Sequence, residues 1–414
     1  MLSIKPLQPD LSHGLPPLSL YIHVPWCVQK CPYCDFNSHG IGQQSSDQVI
    51  QFFYSKQSLP VAQEIPEERY FQALKSDLEQ QLPDFWGRPI YSVFFGGGTP
   101  SLLSAETIDR ILSMVRSYCQ LVPDAEITLE ANPGTAEAAR FADYVSAGVN
   151  RFSLGIQSFD DTLLRRIGRI HDAHQARCAI EMAQKLTHRV NLDIMFGLPG
   201  QSLEASKKDI QEALSYGTEH LSLYQFTLEP NTYFATHVPD DLPDDECLFE
   251  MQEQAEHLTA AVGMERYEVS AYARGVSARC LHNLNYWSFG DYIGIGPGAH
   301  GKISFPNRIM RTVKVSHPER WIQACLQQDG SHVNTHDVTV DDLPFEFMLN
   351  ALRLKNGVPT HYYQDHTGLP LNTVMKSIDR AVQKGLMSDD PLVIKTTETG
   401  WRFLSDVQSL FLEA

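Results

Sequence analysis

The chain has 414 residues, of which 43% are hydrophobic and 20% charged, so it can form two or three domains with large buried cores. Its formal net charge of −17 at pH 7 argues against a free-standing nucleic-acid binder, which needs basic side chains to neutralise phosphates. No apolar run of about 18 residues is present, and the first residues do not resemble a secretory signal. Eight cysteines in a chain of this length are too few for a disulfide framework. We therefore expect a cytoplasmic protein without a membrane span.

Short apolar segments rich in β-branched and aromatic residues alternate with amphipathic segments along the first two thirds of the chain. Helices are predicted at residues 66–82, where a proline comes first, and at residues 105–119. The predicted strands are residues 18–24, 90–95, 126–130, 151–157, 190–196 and 220–226. Six strands that are each followed by a helix are typical of parallel βα units. We therefore predict an α/β fold, a partial TIM-type (β/α)6 barrel.

The hydrophobic pattern divides the chain into three parts. Residues 1–260 hold the barrel, and within them residues 40–65, rich in Gln and Ser, predict a long loop excursion. This loop either covers the barrel mouth or, as loop statistics favour, is a surface insertion. Residues 261–335 contain few clearly periodic elements and are interpreted as a connecting region. Residues 336–414 predict a mostly helical, winged-helix-like C-terminal domain with a hairpin at residues 392–403.

Three basic residues of the C-terminal domain are spaced four apart. They are Lys376, Arg380 and Lys384, and this spacing puts them on one face of a helix that could contact DNA. The residues around them are not basic, so a domain that packs on the barrel is the favoured interpretation. No nucleic-acid partner is predicted.

Three of the eight cysteines lie close together after the first predicted strand. They are Cys27, Cys31 and Cys34, in the segment YIHVPWCVQKCPYCDFNS. Thiolates are the usual ligands of iron–sulfur clusters, and a [4Fe-4S] cluster held by three of them keeps one iron open to another ligand. A structural zinc site is the alternative, but it needs four protein ligands, and no second CxxC follows. The spacing therefore favours an iron–sulfur cluster.

Glycine and polar residues lie at the ends of the other predicted strands, which a barrel gathers at one face. The second strand ends in FGGGTPS, where glycines allow close approach to a ligand. The third ends in Glu130, whose carboxylate can accept two ribose hydroxyls. The fourth ends in Gln157, the fifth carries Asp193 before GLPG, and the sixth carries Tyr224. Unrelated capping residues would not be expected to form such a ring, so we predict a ligand site at this face.

Seven motifs follow one another along the chain: YIHVPWC, CPYC, GGGTPS, EANPGT, GIQSFDD, GRIH and GLPGQ. Together they closely resemble one family of radical S-adenosylmethionine proteins, the oxygen-independent coproporphyrinogen III dehydrogenases and their haem-chaperone relatives. The resemblance covers about residues 18–410. It implies that Cys27, Cys31 and Cys34 hold a [4Fe-4S] cluster whose open iron binds S-adenosylmethionine. It also implies that the following residues contact S-adenosylmethionine: Tyr21, Tyr33, Gly97, Gly98, Thr99, Glu130, Gln157, Arg169 and Asp193.

Three features separate the two branches of this family. The dehydrogenases resemble CxxxCxxCxC, whereas Phe36 stands at the position of the fourth cysteine here. They also carry a longer arm before the first strand than the residues that precede position 18. Finally, the segment HNxxYW, with His282, Tyr286 and Trp287, resembles the motif assigned to haem binding in the chaperones. All three features favour the chaperone branch.

The residue types of HNxxYW suit a haem site. Neutral imidazole is a common axial ligand of haem iron, and Tyr286 and Trp287 offer flat apolar faces to a macrocycle. A structural role for His282 and a core role for the two aromatic residues is the alternative. His300, in the following GIGPGAHG segment, is the second and weaker candidate ligand.

The resemblance therefore implies a haem chaperone that carries a [4Fe-4S] cluster and S-adenosylmethionine and passes haem to acceptor haem proteins. A flavodoxin- or ferredoxin-type protein would supply electrons to the cluster. The alternative is a coproporphyrinogen III dehydrogenase of porphyrin biosynthesis, which removes two propionate carboxyl groups by radical chemistry. A radical enzyme acting on tRNA is disfavoured by the negative charge. Whether the protein is an enzyme stays open at this point.

Overall fold

The computed structural model describes residues 8–41, 64–134 and 138–412, so most of the loop excursion expected at residues 40–65 lies outside the described residues. The strands of the described residues are, in chain order, β1 Leu18–Val24, β2 Trp26–Cys27, β3 His39–Gly40, β4 Pro89–Gly97, β5 Gln120–Ala131, β6 Arg151–Gln157, β7 Val190–Phe196, β8 His220–Gln225, β9 Glu265–Glu268, β10 Ala271–Ala273, β11 Asp291–Ile295, β12 His300–Phe305, β13 Arg308–Lys314, β14 Val333–Asp337, β15 Val358–Pro359 and β16 Val393–Ile394.

The barrel is a curved sheet of parallel strands in the order β11-β1-β4-β5-β6-β7-β8. Six of these strands are the predicted ones, so the α/β fold with a partial TIM-type barrel is confirmed. Strand β1 lies inside the sheet, where Tyr21 is paired with Phe94 on one side and Gly294 on the other. Six of the seven β1 residues are buried, because a parallel strand covered on both faces needs an almost continuous apolar run.

Helices between the parallel strands cover the outer face of the barrel, and further helices lie after its last strand and in the C-terminal residues. They are α1 Glu67–Phe85, α2 Ala105–Tyr118, α3 Phe141–Ala147, α4 Asp161–Arg166, α5 Ala173–Leu186, α6 Leu203–Ser215, α7 Tyr233–Thr236, α8 Asp245–Ala261, α9 Leu281–Trp287, α10 Pro318–Gln327, α11 Leu343–Ala351, α12 His361–Thr367, α13 Asn372–Gln383, α14 Glu398–Arg402 and α15 Leu404–Ser409, with 3-10 turns at Pro100–Leu102 and Val276–Ala278. Side-chain caps fix several helix starts: Asp172 accepts a hydrogen bond from Gln175 N at 2.8 Å, and Gln175 reciprocates. No helix in the described ranges is long and apolar enough to cross a membrane.

The region 261–335, where few regular elements are expected, supplies strands at both edges of the barrel sheet. Strands β10 and β9 follow β8, and β11 to β14 extend the other edge, giving twelve strands among the described residues. The expectation is wrong because buried lysines interrupt the apolar pattern. Lys302 Nζ lies 2.8 Å from Asp291 Oδ1, and Lys314 Nζ lies 2.5 Å from Asp77 Oδ1. Such ion pairs depend on distant residues and leave no periodic signal.

The C-terminal residues form a mostly helical unit, α11 to α15, around its own apolar core, to which the N-terminal Leu11 and the barrel residues Phe289 and Ile309 also contribute. The hairpin predicted at residues 392–403 is wrong, since Glu398–Arg402 is helical. Strand β16 pairs instead with β15. Arg380, considered above for DNA contact, donates to the carbonyl of Leu410 at 2.8 Å inside the unit.

Candidate functional site

One cavity of about 1130 Å³ lies inside the barrel and opens at the carboxyl ends of its strands. Every residue proposed from the sequence for a cluster, for S-adenosylmethionine or for haem lines this cavity. These residues are Tyr21, Cys27, Cys31, Tyr33, Cys34, Gly97, Gly98, Thr99, Glu130, Gln157, Arg169, Asp193, His282, Tyr286 and Trp287. The structure therefore brings together the two groups of residues, the cysteine loop and the HNxxYW segment, that are about 250 positions apart in the sequence.

The cysteine loop follows β1 and is held by short-range pairing. Strands β2 and β3 pair in parallel at its two ends, and Cys34 N donates to Cys31 O at 3.1 Å. Thr99 Oγ1 donates to Cys27 Sγ at 3.4 Å. All three thiols are free and partly buried. Burial raises the pKa of Cys27 to about 11, so a positively charged iron is what would keep this sulfur as a thiolate.

The glycine turn after β4 packs against the cysteine loop. Gly98 N donates to Val24 O, and Thr99 N to Trp26 O, both at 2.7 Å. A Cβ atom at Gly98 would lie only 2.6 Å from the carbonyl oxygen of Trp26. Gly97 has a φ of +111°, and a Cβ there would collide with the ring of His23. These contacts with the protein already require glycine, whatever the turn does for a ligand.

Arg169 joins the glycine turn to the cysteine loop through a residue that the sequence argument did not single out, Asn132. Arg169 donates to Asn132 Oδ1 at 2.5 Å and to the carbonyl of Gly155 at 2.7 Å, and it reaches Cys31 Sγ at 3.9 Å. Asn132 in turn donates to Thr99 Oγ1 at 2.9 Å. Asn132 belongs to the EANPGT motif, and this motif is the signal that could have found it.

Two carboxylates lie deeper in the cavity. Glu130 accepts a hydrogen bond from Gly97 N at 3.2 Å, and burial, together with the charge of Asp193, raises the pKa of Glu130 to about 8. Asp193 accepts hydrogen bonds from Ser153 Oγ at 3.0 Å and from Asn191 Nδ2 at 2.8 Å. The pKa of Asp193 is also raised by burial. Both groups would gain from hydrogen-bond donors or a positive charge on a ligand.

The cavity wall carries buried polar atoms without hydrogen-bond partners. They include Gln157 Oε1 and Arg169 Nε, and Gln157 has a φ of +68°, which is uncommon for a residue other than glycine. Buried polar groups are normally paired, so these atoms indicate the place of a ligand. Three thiols, two carboxylates and these free polar atoms fit a cluster with S-adenosylmethionine bound beside it.

Helix α9, which carries HNxxYW, closes the inner part of the cavity. Glu126 accepts hydrogen bonds from the backbone nitrogens of Leu281 and His282, both at 3.2 Å. The His282 ring stacks on Phe94 with a centroid distance of 4.9 Å, and its Nδ1 lies 3.2 Å from Ser92 Oγ. Burial lowers the pKa of His282 to about 4, so its imidazole is neutral near pH 7.

The two aromatic residues of α9 connect the barrel with the C-terminal unit. Tyr286 stacks on Tyr292 of β11 at 4.2 Å. Trp287 packs against the C-terminal core, and the guanidinium of Arg353 lies 4.3 Å from the centre of its ring. His300 also lines the cavity. The sequence argument missed Arg353, which has no motif around it.

A second group of metal-ligand residue types lies outside the cavity. Ligand atoms of Asp77, Cys325 and His332 are all within 4.8 Å of one another and buried. Lys314 Nζ occupies the same place, 2.5 Å from Asp77 Oδ1. Because the ammonium group already balances the carboxylate, this group is a buried ion pair that ties α1 to β13.

Comparison with known proteins agrees with the fold and the cavity. Residues 21–213 match the Radical SAM superfamily, and residues 338–403 match the HemN C-terminal domain. The barrel, its cysteine-bearing cavity and the C-terminal unit thus define a radical S-adenosylmethionine protein.

The relatives narrow this class to one family. The protein named Heme chaperone HemW from Escherichia coli is 45% identical over 401 residues, which cover 96% of this chain and 99% of the relative. Heme chaperone HemW from Haemophilus influenzae is 45% identical over 405 residues, which cover 96% and 98%. The chain belongs to the HemW family.

A solved structure supports the fold over nearly the whole chain. Coproporphyrinogen III oxidase (HemN) from Escherichia coli, described as a Radical SAM enzyme, superimposes with a TM-score of 0.76. The match covers 96% of this chain and 90% of that chain at 20% sequence identity. At this identity the likeness concerns the fold.

Proposed function

We propose that this protein is a haem chaperone, which binds haem in the barrel cavity and passes it to acceptor haem proteins. The observation that carries the proposal is the position of α9: its histidine, tyrosine and tryptophan line the same cavity as the cysteine loop. The names of the HemW relatives point the same way. An electron donor of flavodoxin or ferredoxin type and a cytoplasmic location belong to the proposal.

Cys27, Cys31 and Cys34 would hold a [4Fe-4S] cluster, which supplies an electron and an open iron site when bound. Thr99 and Arg169 support the cysteine sulfurs by hydrogen bonds. The residues predicted to contact S-adenosylmethionine would bind and orient it. They are Tyr21, Tyr33, Gly97, Gly98, Thr99, Glu130, Gln157, Arg169 and Asp193. Glu130 is buried and accepts a hydrogen bond from Gly97 N. It would accept further hydrogen bonds from the ribose hydroxyl groups.

His282 is the proposed ligand of the haem iron. Ser92 Oγ donates to Ser19 Oγ at 2.8 Å, so the Nδ1–H group of His282 can donate to Ser92 Oγ at 3.2 Å. That arrangement leaves the lone pair on Nε2, the form of imidazole that ligates a metal. Tyr286 and Trp287 would contact the macrocycle through their flat faces. His300 is the alternative ligand.

The second candidate function, decarboxylation of coproporphyrinogen III, rests on the same barrel fold as HemN. Phe36, which takes the place of the fourth cysteine expected in the dehydrogenases, is 57% exposed beside the cluster loop. No group equivalent to a thiolate is therefore available at that position.

One experiment separates the two functions. The reconstituted protein is incubated anaerobically with reductant, S-adenosylmethionine and coproporphyrinogen III, and protoporphyrinogen is measured; haem is titrated in parallel. We expect stoichiometric haem binding with a Soret band and no protoporphyrinogen. Efficient conversion of coproporphyrinogen III would overturn the chaperone proposal in favour of the dehydrogenase.

A further inference from the structure

The cavity receives one arginine from outside the barrel. Arg353 follows α11 of the C-terminal unit and lines the cavity beside Trp287. The backbone around it is fixed on the barrel, because Leu354 forms an antiparallel bridge with Glu268 and Lys355 N donates to Tyr267 O at 3.0 Å. Arg353 is therefore held at a defined position at the junction of the barrel and the C-terminal unit.

The hydrogen-bonding capacity of Arg353 is poorly used. Its nearest carboxylate oxygen, Glu268 Oε2, is 3.7 Å from the guanidinium, which is too long for a hydrogen bond. Arg353 Nε and Glu268 Oε2 are both buried without a hydrogen-bond partner. Burial lowers the pKa of Arg353 and raises that of Glu268. The charged forms of both groups are therefore incompletely compensated, and a better carboxylate partner would stabilise the arginine.

The other two arginines that line the cavity donate hydrogen bonds to barrel residues. Arg169 donates to Asn132 and Gly155 at 2.5 and 2.7 Å. Arg151 is buried and donates to Thr128 Oγ1 at 3.5 Å. Among these three arginines of the described residues, Arg353 is thus the one for which no side-chain hydrogen bond to another described residue is found, and it lies beside Trp287 of α9.

The side chains beside Arg353 supply the kinds of contact that a haem molecule needs. Its guanidinium covers Trp287, which contacts Tyr286 at 5.7 Å, and Tyr286 contacts His282 at 6.4 Å between ring centroids. Aromatic rings thus connect His282, the proposed iron ligand, with the guanidinium of Arg353, which lacks a hydrogen-bonded carboxylate partner. Haem has an iron at its centre, an apolar macrocycle and two propionate carboxylates at one edge.

We propose that Arg353 binds a propionate carboxylate of haem by a charge-assisted, bidentate hydrogen bond, and that Glu268 is the carboxylate that competes with the propionate for Arg353. The inference rests on the proposed haem-chaperone function and deepens it. Guanidinium and carboxylate fit each other in this bidentate geometry. Haem bound in this way would bridge the barrel, through His282, and the C-terminal unit, through Arg353. The site selects macrocycles with free carboxylates at their edge.

The test compares two probes, haem and haem dimethyl ester, whose propionates carry no charge. Both are titrated into the full-length wild-type protein and the variants Arg353→Met, Glu268→Gln and Arg402→Met. Arg402 is the matched control, since it is exposed, covers an aromatic ring and pairs with Glu253 away from the cavity. Circular dichroism checks that each variant is folded.

We expect Arg353→Met to weaken haem binding about 10- to 100-fold, the loss of a hydrogen bond between charged groups, without changing the affinity for the dimethyl ester. The Soret position should stay the same because the iron ligand is unchanged. Glu268→Gln removes the competing carboxylate, so it should raise the affinity for haem relative to the ester. Arg402→Met should change neither affinity.

Equal losses of haem and ester affinity in Arg353→Met would overturn the inference, because they indicate a structural role. Unchanged haem affinity in this variant would overturn it as well. If Arg353→Met does not fold, the test rests on Glu268→Gln. A ratio of haem affinity to ester affinity equal to that of the wild-type protein would then overturn the inference. Failure of the wild-type protein to bind haem at all refutes the proposed function itself, which distinguishes the two failures.

Discussion

The cavity has two ends that are built in different ways. At the cluster end, the cysteine loop, the glycine turn and Arg169 follow three different strands of the barrel, and hydrogen bonds join them, directly or through Asn132. At the α9 end, His282 rests on Phe94 and Ser92 of the barrel, while Trp287 lies against Arg353 and the C-terminal core. The first end is built from the barrel sheet and its loops, including those around β12 and β13 that accept hydrogen bonds from Asn37. The second end depends on the junction of the barrel with the C-terminal unit.

This difference supports the proposal that one cavity serves two chemically distinct ligands. Thiols, carboxylates and unpaired polar atoms at the cluster end suit a charged, hydrogen-bonding cofactor. Aromatic rings, a neutral imidazole and one underused guanidinium at the α9 end suit a flat macrocycle. If the comparison is right, substitutions at one end leave the other end functional.

The largest expected effect is at the cluster end. Cys34→Ala should abolish the [4Fe-4S] absorption, because two thiolates do not hold the cluster, while haem affinity stays unchanged. Iron, sulfide and the visible spectrum are measured after reconstitution, with Cys178→Ala as control because Cys178 is exposed on α5 and does not line the cavity. A full complement of iron and sulfide in Cys34→Ala would contradict the ligand assignment.

The corresponding change at the α9 end is His282→Ala. Loss of the iron ligand should weaken haem binding by more than the roughly 10- to 100-fold that removal of a supporting partner costs a metal site. The Soret band should shift, and the cluster spectrum should be unchanged. Haem titration is compared with that of His174→Ala, an exposed histidine on α5. Normal haem binding by His282→Ala would move the iron ligand elsewhere, with His300 and then Cys280 tested next.

Glu130→Ala tests the cofactor part of the cluster end. We expect S-adenosylmethionine binding to weaken by about 1.5–3 kcal/mol, because hydroxyl donors of the bound ribose would favour the ionised form of Glu130 and hydrogen bonds to a charged group are worth this much. Cluster and haem binding should stay intact. Isothermal titration calorimetry measures the affinity, and the exposed Glu106→Ala is the control. An unchanged affinity would remove Glu130 from the cofactor site.

The α9 end should also contribute to the pH dependence of stability through His282. Burial lowers the pKa of this histidine from 6.5 to about 4. Between these values the unfolded chain binds more protons than the folded one, so the free energy of unfolding falls as pH decreases from 6.5 to about 4. Above 6.5 this group has no effect. The loss due to His282 is about 2 kcal/mol at most near pH 5. Urea unfolding near pH 7 and pH 5 should therefore show a smaller decrease in His282→Gln than in the wild type.

The smallest expected effect concerns the orientation of His282. Ser92→Ala removes the hydroxyl beside Nδ1, and haem affinity should fall by about 0.5–1.5 kcal/mol, the net worth of one hydrogen bond. S-adenosylmethionine affinity should not change. Ser117→Ala, on the surface of α2, is the control. If haem affinity in Ser92→Ala fell as far as in His282→Ala, the role of Ser92 would exceed a single hydrogen bond to His282, which would contradict this prediction.

The sequence by itself determined the barrel, because its parallel strands are buried on both faces and therefore appear as apolar runs with polar ends. Strands β1, β6 and β7 have the predicted bounds. The sequence also predicted which residues lie together at the cluster end. Cys27, Cys31 and Cys34 lie within one loop, and the glycine turn is at the end of a strand. Local motifs carry this information because the cysteine loop and the glycine turn belong to adjacent βα units and contact each other directly.

Only the tertiary structure decided where the rest of the chain goes. The strands beyond residue 260 contain Lys302 and Lys314, which are buried because Asp291 and Asp77 neutralise them, and these pairings have no sequence spacing to reveal them. The HNxxYW segment became part of the cavity because Glu126 holds the start of its helix inside the barrel. Arg353 lines the same cavity because the barrel core and the C-terminal core meet beside Trp287. No local motif predicts this contact, because it joins residues that are far apart in the sequence.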